Sequence, residues 1–308
     1  MLNVKSEIKP ENGIILFLDI LGTQSNWREG NSKIFLNKID TLLEKFEEIK
    51  KISEEVLNLH EKQFYYKDIE IKPFANKARI PRIMLDVFNF SDTIIVALYG
   101  NKLVSDSFFI YLMGLFLIPI FRNAFEDNIL LRGTISTGNF YRLQRKNGIL
   151  LVGPAVNDAA QSYESTEWIG VSTSPSASLT LEQERKIDLI QNNLFSANIN
   201  NNKINLGNLF KILSYVFVKY DIPTKNGIEK YGWGLSWPNI FHNSFDSNEK
   251  VNNIFNKELS YNKYQKNFIK KEIYIKYKNT KDFYNHILRN YSITNLKLDQ
   301  IGNKDQSV

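Results

Sequence analysis

Residues 14–23 read Ile14-Ile15-Leu16-Phe17-Leu18-Asp19-Ile20-Leu21-Gly22-Thr23, an apolar run that stops at a carboxylate. The turn signal Asn12-Gly13 precedes it and Gly22 follows, so its length and flanks predict a buried strand ending at Asp19 rather than a helix. A carboxylate at the end of such a strand is costly to leave unpaired. The turn after it, Ile20 to Thr23, can aim backbone N–H groups at an anion. Taken alone, an aspartate so placed is more often a cap or turn residue than a metal ligand.

Working outward, Ile34, Phe35, Ile39, Leu42, Leu43, Phe46 and Ile49 recur at helical spacing and predict a helix from Asn31 to about Leu59. His60 to Arg82 loses that rhythm, carries six Lys and Arg, and reads as a basic loop. Ile83 to Phe90 and Thr93 to Leu98 read as two strands of a hairpin with Ser91-Asp92 near its tip. Then come a helix over Ser105 to Asp127, strands over Ile129 to Tyr141 and Gly148 to Val152, a helix over Pro154 to Glu164, and a strand over Trp168 to Val171. This order predicts an α+β fold, with helices packed on a mixed β-sheet.

Beyond Ser172 the pattern predicts helices over Leu179 to Leu194 and Leu206 to Val218, parted by the Asn-rich turn Asn198 to Asn205, and a short strand within Tyr231 to Trp237. After His242, Phe255, Leu259, Tyr264, Phe268 and Ile275 fall near one helical face, as in a helical extension packed on the core or on a partner chain. The chain thus divides into residues 1–240, whose core motifs span 13–175, and a basic, mostly helical extension at 241–308.

Composition narrows the class. The 308 residues contain no cysteine, which excludes a disulfide framework or a Cys-based zinc site and fits a reducing cytoplasm. The N-terminus lacks the apolar stretch of a signal peptide. The longest apolar run, Phe108 to Phe121, contains Pro119 and falls short of the roughly 20 residues a membrane-spanning helix needs, so it reads as a buried helix. The net charge is +6, and residues 245–308 hold 12 Lys and Arg against 7 Asp and Glu. Lysines dispersed among Asn, Tyr and Ile read as a solvated helix face, not as a nucleic-acid surface. His60, His242 and His286 share no metal-ligand spacing, and Ser172, Ser174 and Ser176 lack the Gly-x-Ser-x-Gly frame of a nucleophile.

Asp92 at the hairpin tip changes the reading of Asp19. Two strand-end aspartates on neighbouring strands, together with substrate phosphates, form the hard oxygen set by which Mg²⁺ is usually held. A pair of such ions can ready a hydroxyl for attack and balance charge on departing pyrophosphate.

Here the sequence resembles a known family. Phe17-Leu18-Asp19-Ile20-Leu21-Gly22-Thr23 is similar to the first metal motif of class III nucleotide cyclases, and Phe90-Ser91-Asp92-Thr93-Ile94-Ile95 to the second, with Ser91 where glycine is usual. Leu131-Arg132-Gly133-Thr134-Ile135-Ser136-Thr137-Gly138 and Gly153-Pro154-Ala155-Val156-Asn157-Asp158-Ala159-Ala160 resemble the following strand and helix. The resemblance implies a ferredoxin-like sheet and two Mg²⁺ or Mn²⁺ ions held by Asp19, Asp92 and the carbonyl of Ile20. It also implies a triphosphate cradle at Leu21, Gly22 and Thr23, beside the turn residue Ser91. Asn157 would position the ribose from the opposite subunit, which implies a homodimer with composite sites.

Three departures refine this. The base-selecting positions of the family fall on Phe88 and Leu150, both apolar, which cannot read a purine edge by hydrogen bonds. Where the family usually carries the arginine that offsets transition-state charge, this chain has Gln161, so another cation would have to enter; Arg132, Arg142 and Arg145 are nearest in sequence. The wording of the motifs, with Tyr163-Glu164 after them, is similar to bacterial Pycsar-type pyrimidine cyclases. Those make cyclic UMP or cyclic CMP from UTP or CTP in anti-phage defence and signal to a separate effector protein. The competing expectation is a catalytically lapsed cyclase fold that binds a nucleotide or partner in a regulatory role.

Overall fold

The computed structural model of the chain describes residues 9–21, 32–63, 83–100, 106–127, 129–145, 148–191, 215–230, 232–241 and 271–290. Gly22, Thr23, most of the basic segment, the Asn-rich turn, His242 and residues 255–268 lie outside the described residues.

The opening apolar run forms strand β1 (Glu11–Leu21), which continues two residues beyond Asp19 instead of ending there. Its even-numbered residues Ile14, Leu16, Leu18 and Ile20 enter the main core, while Ile15 and Phe17 pack on the other face. Both faces are therefore covered, which is why the segment reads as a continuous apolar run. Helix α1 (Ser32–Gln63) buries Ile39, Leu42 and Phe46, three of the residues that set its helical spacing.

The hairpin of β2 (Ile83–Phe90) and β3 (Thr93–Gly100) turns on Ser91 and Asp92, as expected, since Phe90 pairs with Thr93. Helix α2 (Asp106–Glu126) fills the main core with Phe109, Met113, Leu117 and Phe121, and among the described residues no helix is long and apolar enough to cross a membrane. Next come β4 (Leu130–Arg145), β5 (Gly148–Val152), α3 (Pro154–Ser165), β6 (Gly170–Thr173) and α4 (Pro175–Gln191). The remaining elements are β7 (Phe217–Lys219), β8 (Ile222–Thr224), β9 (Gly227–Glu229), β10 (Trp233–Leu235), α5 (Pro238–Phe241) and α6 (Lys271–Asn290). The helix expected over Leu206 to Val218 is corrected at its end, where Phe217 and Val218 form β7 and pair with β10. Both residues are buried, and a strand buried on both faces gives an apolar run that periodicity cannot separate from a helix.

The main sheet runs β2-β3-β1-β4-β6-β10-β7, with β5 continuing the far end of β4. β1 lies antiparallel to both β3 and β4, and β4 is parallel to β6, so the sheet is mixed and the α+β architecture is as expected. Glycines in the quoted motifs answer to close packing. A Cβ on Gly133 would lie 2.4 Å from the carbonyl oxygen of Phe17, so only glycine lets β4 approach β1 there. Gly153 has φ 142 and its Cβ would lie 2.7 Å from Cα of Phe140, which fixes the sharp entry into α3 before Pro154.

The extension contributes to the core. Phe283, Tyr284 and Ile287 of α6 are fully buried in the main cluster, and Phe283 meets Trp168 edge-on at 4.6 Å between ring centroids. Together with Tyr220 and Trp237 this aromatic wall seats α6 against β6 and β10.

Candidate functional site

Strand register brings the two aspartates together. Asp19 stands opposite Thr93 on one side, the residue after Asp92, and opposite Arg132 on the other. The backbone closes the same corner, since Ile20 N–H donates to the Asp92 carbonyl at 2.9 Å. Ile20 points its side chain into the core and Leu21 packs partly against it, so both can offer only backbone groups to a ligand. Ser91 takes a left-handed φ of 58, the conformation in which glycine carries no penalty and other residues do.

The Asp19 side chain is 16% exposed and Arg132, at 10%, donates from Nη2 to its Oδ2 at 2.9 Å. Arg132 Nη1 donates to the buried carbonyl of Thr166 at 3.1 Å, and its Nε is buried with no hydrogen-bond partner among the described residues. Burial pushes the Asp19 carboxyl above the ordinary carboxylate value; Arg132 opposes that, and the negative charge of Asp92 adds to it.

Two carboxylates, one on β1 and one at the β2–β3 turn, are a donor set that suits Mg²⁺ or Mn²⁺. Among the described residues there is no cluster of three or more His, Cys, Asp or Glu, so the remaining ligands would be backbone, substrate oxygen or water.

Helix α3 covers the corner with an aromatic ring. Tyr163 stacks on Phe17 at 5.6 Å between centroids, and the Arg132 guanidinium lies over the same ring at 5.6 Å. Burial, then Asp19 and Glu164, raises the Tyr163 pKa, so its hydroxyl keeps its proton beside the carboxylates. Tyr163 enters the sequence reading only as part of a motif comparison; in a helix whose apolar spacing is otherwise filled by alanines, nothing local marks it as lining a site.

The other expected site residues lie elsewhere. Asn157 and Gln161, one turn apart on α3, are exposed. Phe88 is half-buried among the smaller cluster with Ile15, Ala97 and Phe140, in the sheet row of Ile95, Phe17 and Thr134. Leu150 is 39% exposed on β5, opposite Leu143. Leu151, next to it, stands opposite Arg142, whose guanidinium reaches Asp86 on β2, and packs on the same small cluster as Phe88, so one chain holds the Leu150 segment beside the Phe88 strand. Arg142 is committed to Asp86, whose Oδ2 also accepts from the Tyr99 hydroxyl at 2.8 Å, and Arg145 is exposed at the far end of β4. Ser174 and Ser176 both donate to Asp158 Oδ2 at 2.5 Å at the start of α4, as a helix-start loop would, and His286 packs on Tyr220.

No family model and no curated protein matches the chain. Solved structures similar to it include the adenylyl cyclase CyaB from P. aeruginosa, with 12% identity and a TM-score of 0.39 over 57% of this chain and 83% of that one. The monomeric guanylyl cyclase domain of the RhoGC fusion protein from the aquatic fungus Blastocladiella emersonii gives 16% and 0.39 over 58% and 90%. A bacterial light-regulated adenylyl cyclase gives 11% and 0.38 over 77% and 55%. Similarity this low leaves the chemistry to be read from the residues of the site.

Proposed function

We propose that the chain is a metal-dependent nucleotide cyclase that works as a homodimer and converts a pyrimidine triphosphate, UTP or CTP, to a 3′,5′-cyclic nucleotide and pyrophosphate. The observation that carries this reading is the corner itself: Asp19 and Asp92 converge from adjacent strands beside Arg132, at the two motifs that resemble metal motifs of class III cyclases.

In the reaction the ribose 3′-oxygen bonds to the α-phosphorus, the bond from that phosphorus to the bridging oxygen breaks, and pyrophosphate leaves with the electron pair while the hydroxyl proton passes to solvent. Two divalent ions held by Asp19 and Asp92 would supply Lewis acidity to the hydroxyl and to the leaving group. The protein's own part is to hold Asp19 desolvated, to set Arg132 against it, and to close one wall with Tyr163.

Exposed Asn157 and Gln161, together with the motif resemblance that sets Asn157 on the opposite subunit, support a composite site, in which the α3 and β5 side of a second copy meets the Asp19 corner of the first. Exposed apolar side chains stand at both ends of that arrangement: Phe90, 80% exposed, at the hairpin tip, and Tyr141, Leu150 and Val152 on the β4–β5 ribbon. Apolar Phe88 and Leu150 support a pyrimidine over a purine. By the motif resemblance, the product would signal to a separate effector in anti-phage defence.

Mixing inactive variants tests chemistry and assembly together. Asp19→Ala and Asn157→Ala should each abolish pyrophosphate release, and their mixture should restore part of it, because one hybrid site keeps both wild-type residues. Release that persists in Asp19→Ala refutes the assignment; a mixture without activity, alongside active wild type, refutes the composite site. A second reading, a lapsed cyclase that only binds nucleotide, is favoured by exposed Gln161 where a cation is usual. It requires nucleotide binding with no pyrophosphate release.

A further inference from the structure

We propose that Lys276 of α6 is a phosphate-binding residue of this site, so that the C-terminal helix completes it with the cation that Gln161 cannot supply. The inference rests on the cyclase reading above.

Its basis is the way α6 is fastened. Ile169 N–H donates to Thr280 Oγ1 at 2.7 Å, Asn279 Nδ2 donates to the Glu167 carbonyl at 2.8 Å, and Thr280 Oγ1 donates to the Lys276 carbonyl at 2.6 Å. The segment so gripped begins at Thr166, whose carbonyl is held by Arg132, and Arg132 in turn holds Asp19. A continuous chain of hydrogen bonds therefore runs from α6 through residues 166–169 to the carboxylate corner. Lys276 sits one turn before Thr280 on this docked side and is half-buried. The helix behind it is fixed by buried Phe283, Tyr284 and Ile287, so the lysine projects from a rigid element.

The charged groups that act on the Lys276 ammonium are Arg132 on β4, Asp19 on β1, Lys225 at the turn between β8 and β9, and Glu167 after α3. The β8–β9 hairpin is tied to the same place, since Lys225 N–H donates to the Ser165 carbonyl and Glu167 N–H to the Pro223 carbonyl, both at 2.8 Å. Burial and then Arg132 disfavour the charged lysine, and Asp19 only partly restores it. An ammonium in that position gains more from an incoming polyphosphate than a solvated one would, because it recovers lost solvation as well as Coulomb energy.

Binding of inorganic pyrophosphate with Mg²⁺, measured by calorimetry, together with steady-state kinetics for each NTP, tests the inference on wild type, Lys276→Met, Lys276→Arg and the exposed control Lys278→Met. Lys276→Met should weaken pyrophosphate binding and raise KM, each about tenfold or more, as for loss of a hydrogen bond to a charged group. Lys276→Arg should recover most of both, and Lys278→Met should match wild type. Should Lys276→Met not fold, Lys276→Gln keeps the stem and must show the same loss. Wild-type affinity in Lys276→Met or Lys276→Gln, alongside an active wild type, overturns the role of Lys276 and leaves the cyclase reading standing. A wild type that neither binds pyrophosphate nor turns over any NTP overturns that reading itself.

Discussion

Replacing Arg132 by methionine removes the guanidinium from the Asp19 corner and keeps most of the stem volume. Both partners are nearly buried, at 10% and 16% exposure, and removing one member of such a pair costs about 3–5 kcal/mol because the other charge is left stranded. The Thr166 carbonyl also loses its donor, for about 1 kcal/mol. Lys276 offers Asp19 partial compensation, so the sum should fall near 3 kcal/mol at pH 8. The cost should depend on pH with a definite sign. Asp19 already has its pKa raised in the fold by burial, and without Arg132 it rises further. A carboxyl raised above its unfolded value favours the fold below that value and loses this contribution as pH climbs through the folded pKa. The penalty of Arg132→Met should therefore be smaller at pH 5 than at pH 8. Urea unfolding at both pH values, with Asp19→Asn and the double variant completing a cycle, measures it. The double variant should lie within about 1 kcal/mol of wild type, since replacing a whole buried pair is often near neutral. A single-variant cost below 1 kcal/mol, a cost without pH dependence, or additive single effects would refute the reasoning.

Three further outcomes are expected. Ser91→Gly should raise stability by about 0.5–1 kcal/mol, because the left-handed strain relieved at φ 58 exceeds the added freedom of the unfolded chain; denaturant midpoints check it. Thr280→Val should cost about 2 kcal/mol by stranding the buried Ile169 N–H, and thermal unfolding reads it. Burial raises Tyr220 and Tyr284 to about 12, and burial with the Asp86 hydrogen bond raises Tyr99 further. Their contribution to stability is present below pH 10 and lost above it, so ultraviolet titration should show only part of the 15 tyrosines ionising near pH 10, the rest following as the protein unfolds.

The hairpin and β1 were legible in the sequence because a two-residue turn and a doubly buried strand leave local marks at Ser91-Asp92 and at Ile14–Leu18. The parting of Asp19 from the strand end was less visible, since Ile20 and Leu21 suit a strand and a turn equally. That Arg132 meets Asp19 follows from antiparallel register across 113 residues of chain, which no local pattern encodes. Tyr163 and Lys276 were hidden for the same reason: each is one ordinary residue on an amphipathic helix, and only the docking of α3 and α6 selects it from its neighbours. Phe88 and Leu150 were placed by motif alone, and the contact between their segments, through Arg142 and Asp86, joins residues 56 apart in sequence that no local pattern links.

The central claim is that the Asp19–Asp92 corner makes a cyclic nucleotide. Mass spectrometry of the products from mixed UTP, CTP, ATP and GTP with Mn²⁺ or Mg²⁺ tests it most directly. The expected result is cyclic UMP or cyclic CMP with matching pyrophosphate, absent from Asp19→Ala and Asp92→Ala. No cyclic product from any NTP, or the same product from either variant, would contradict it.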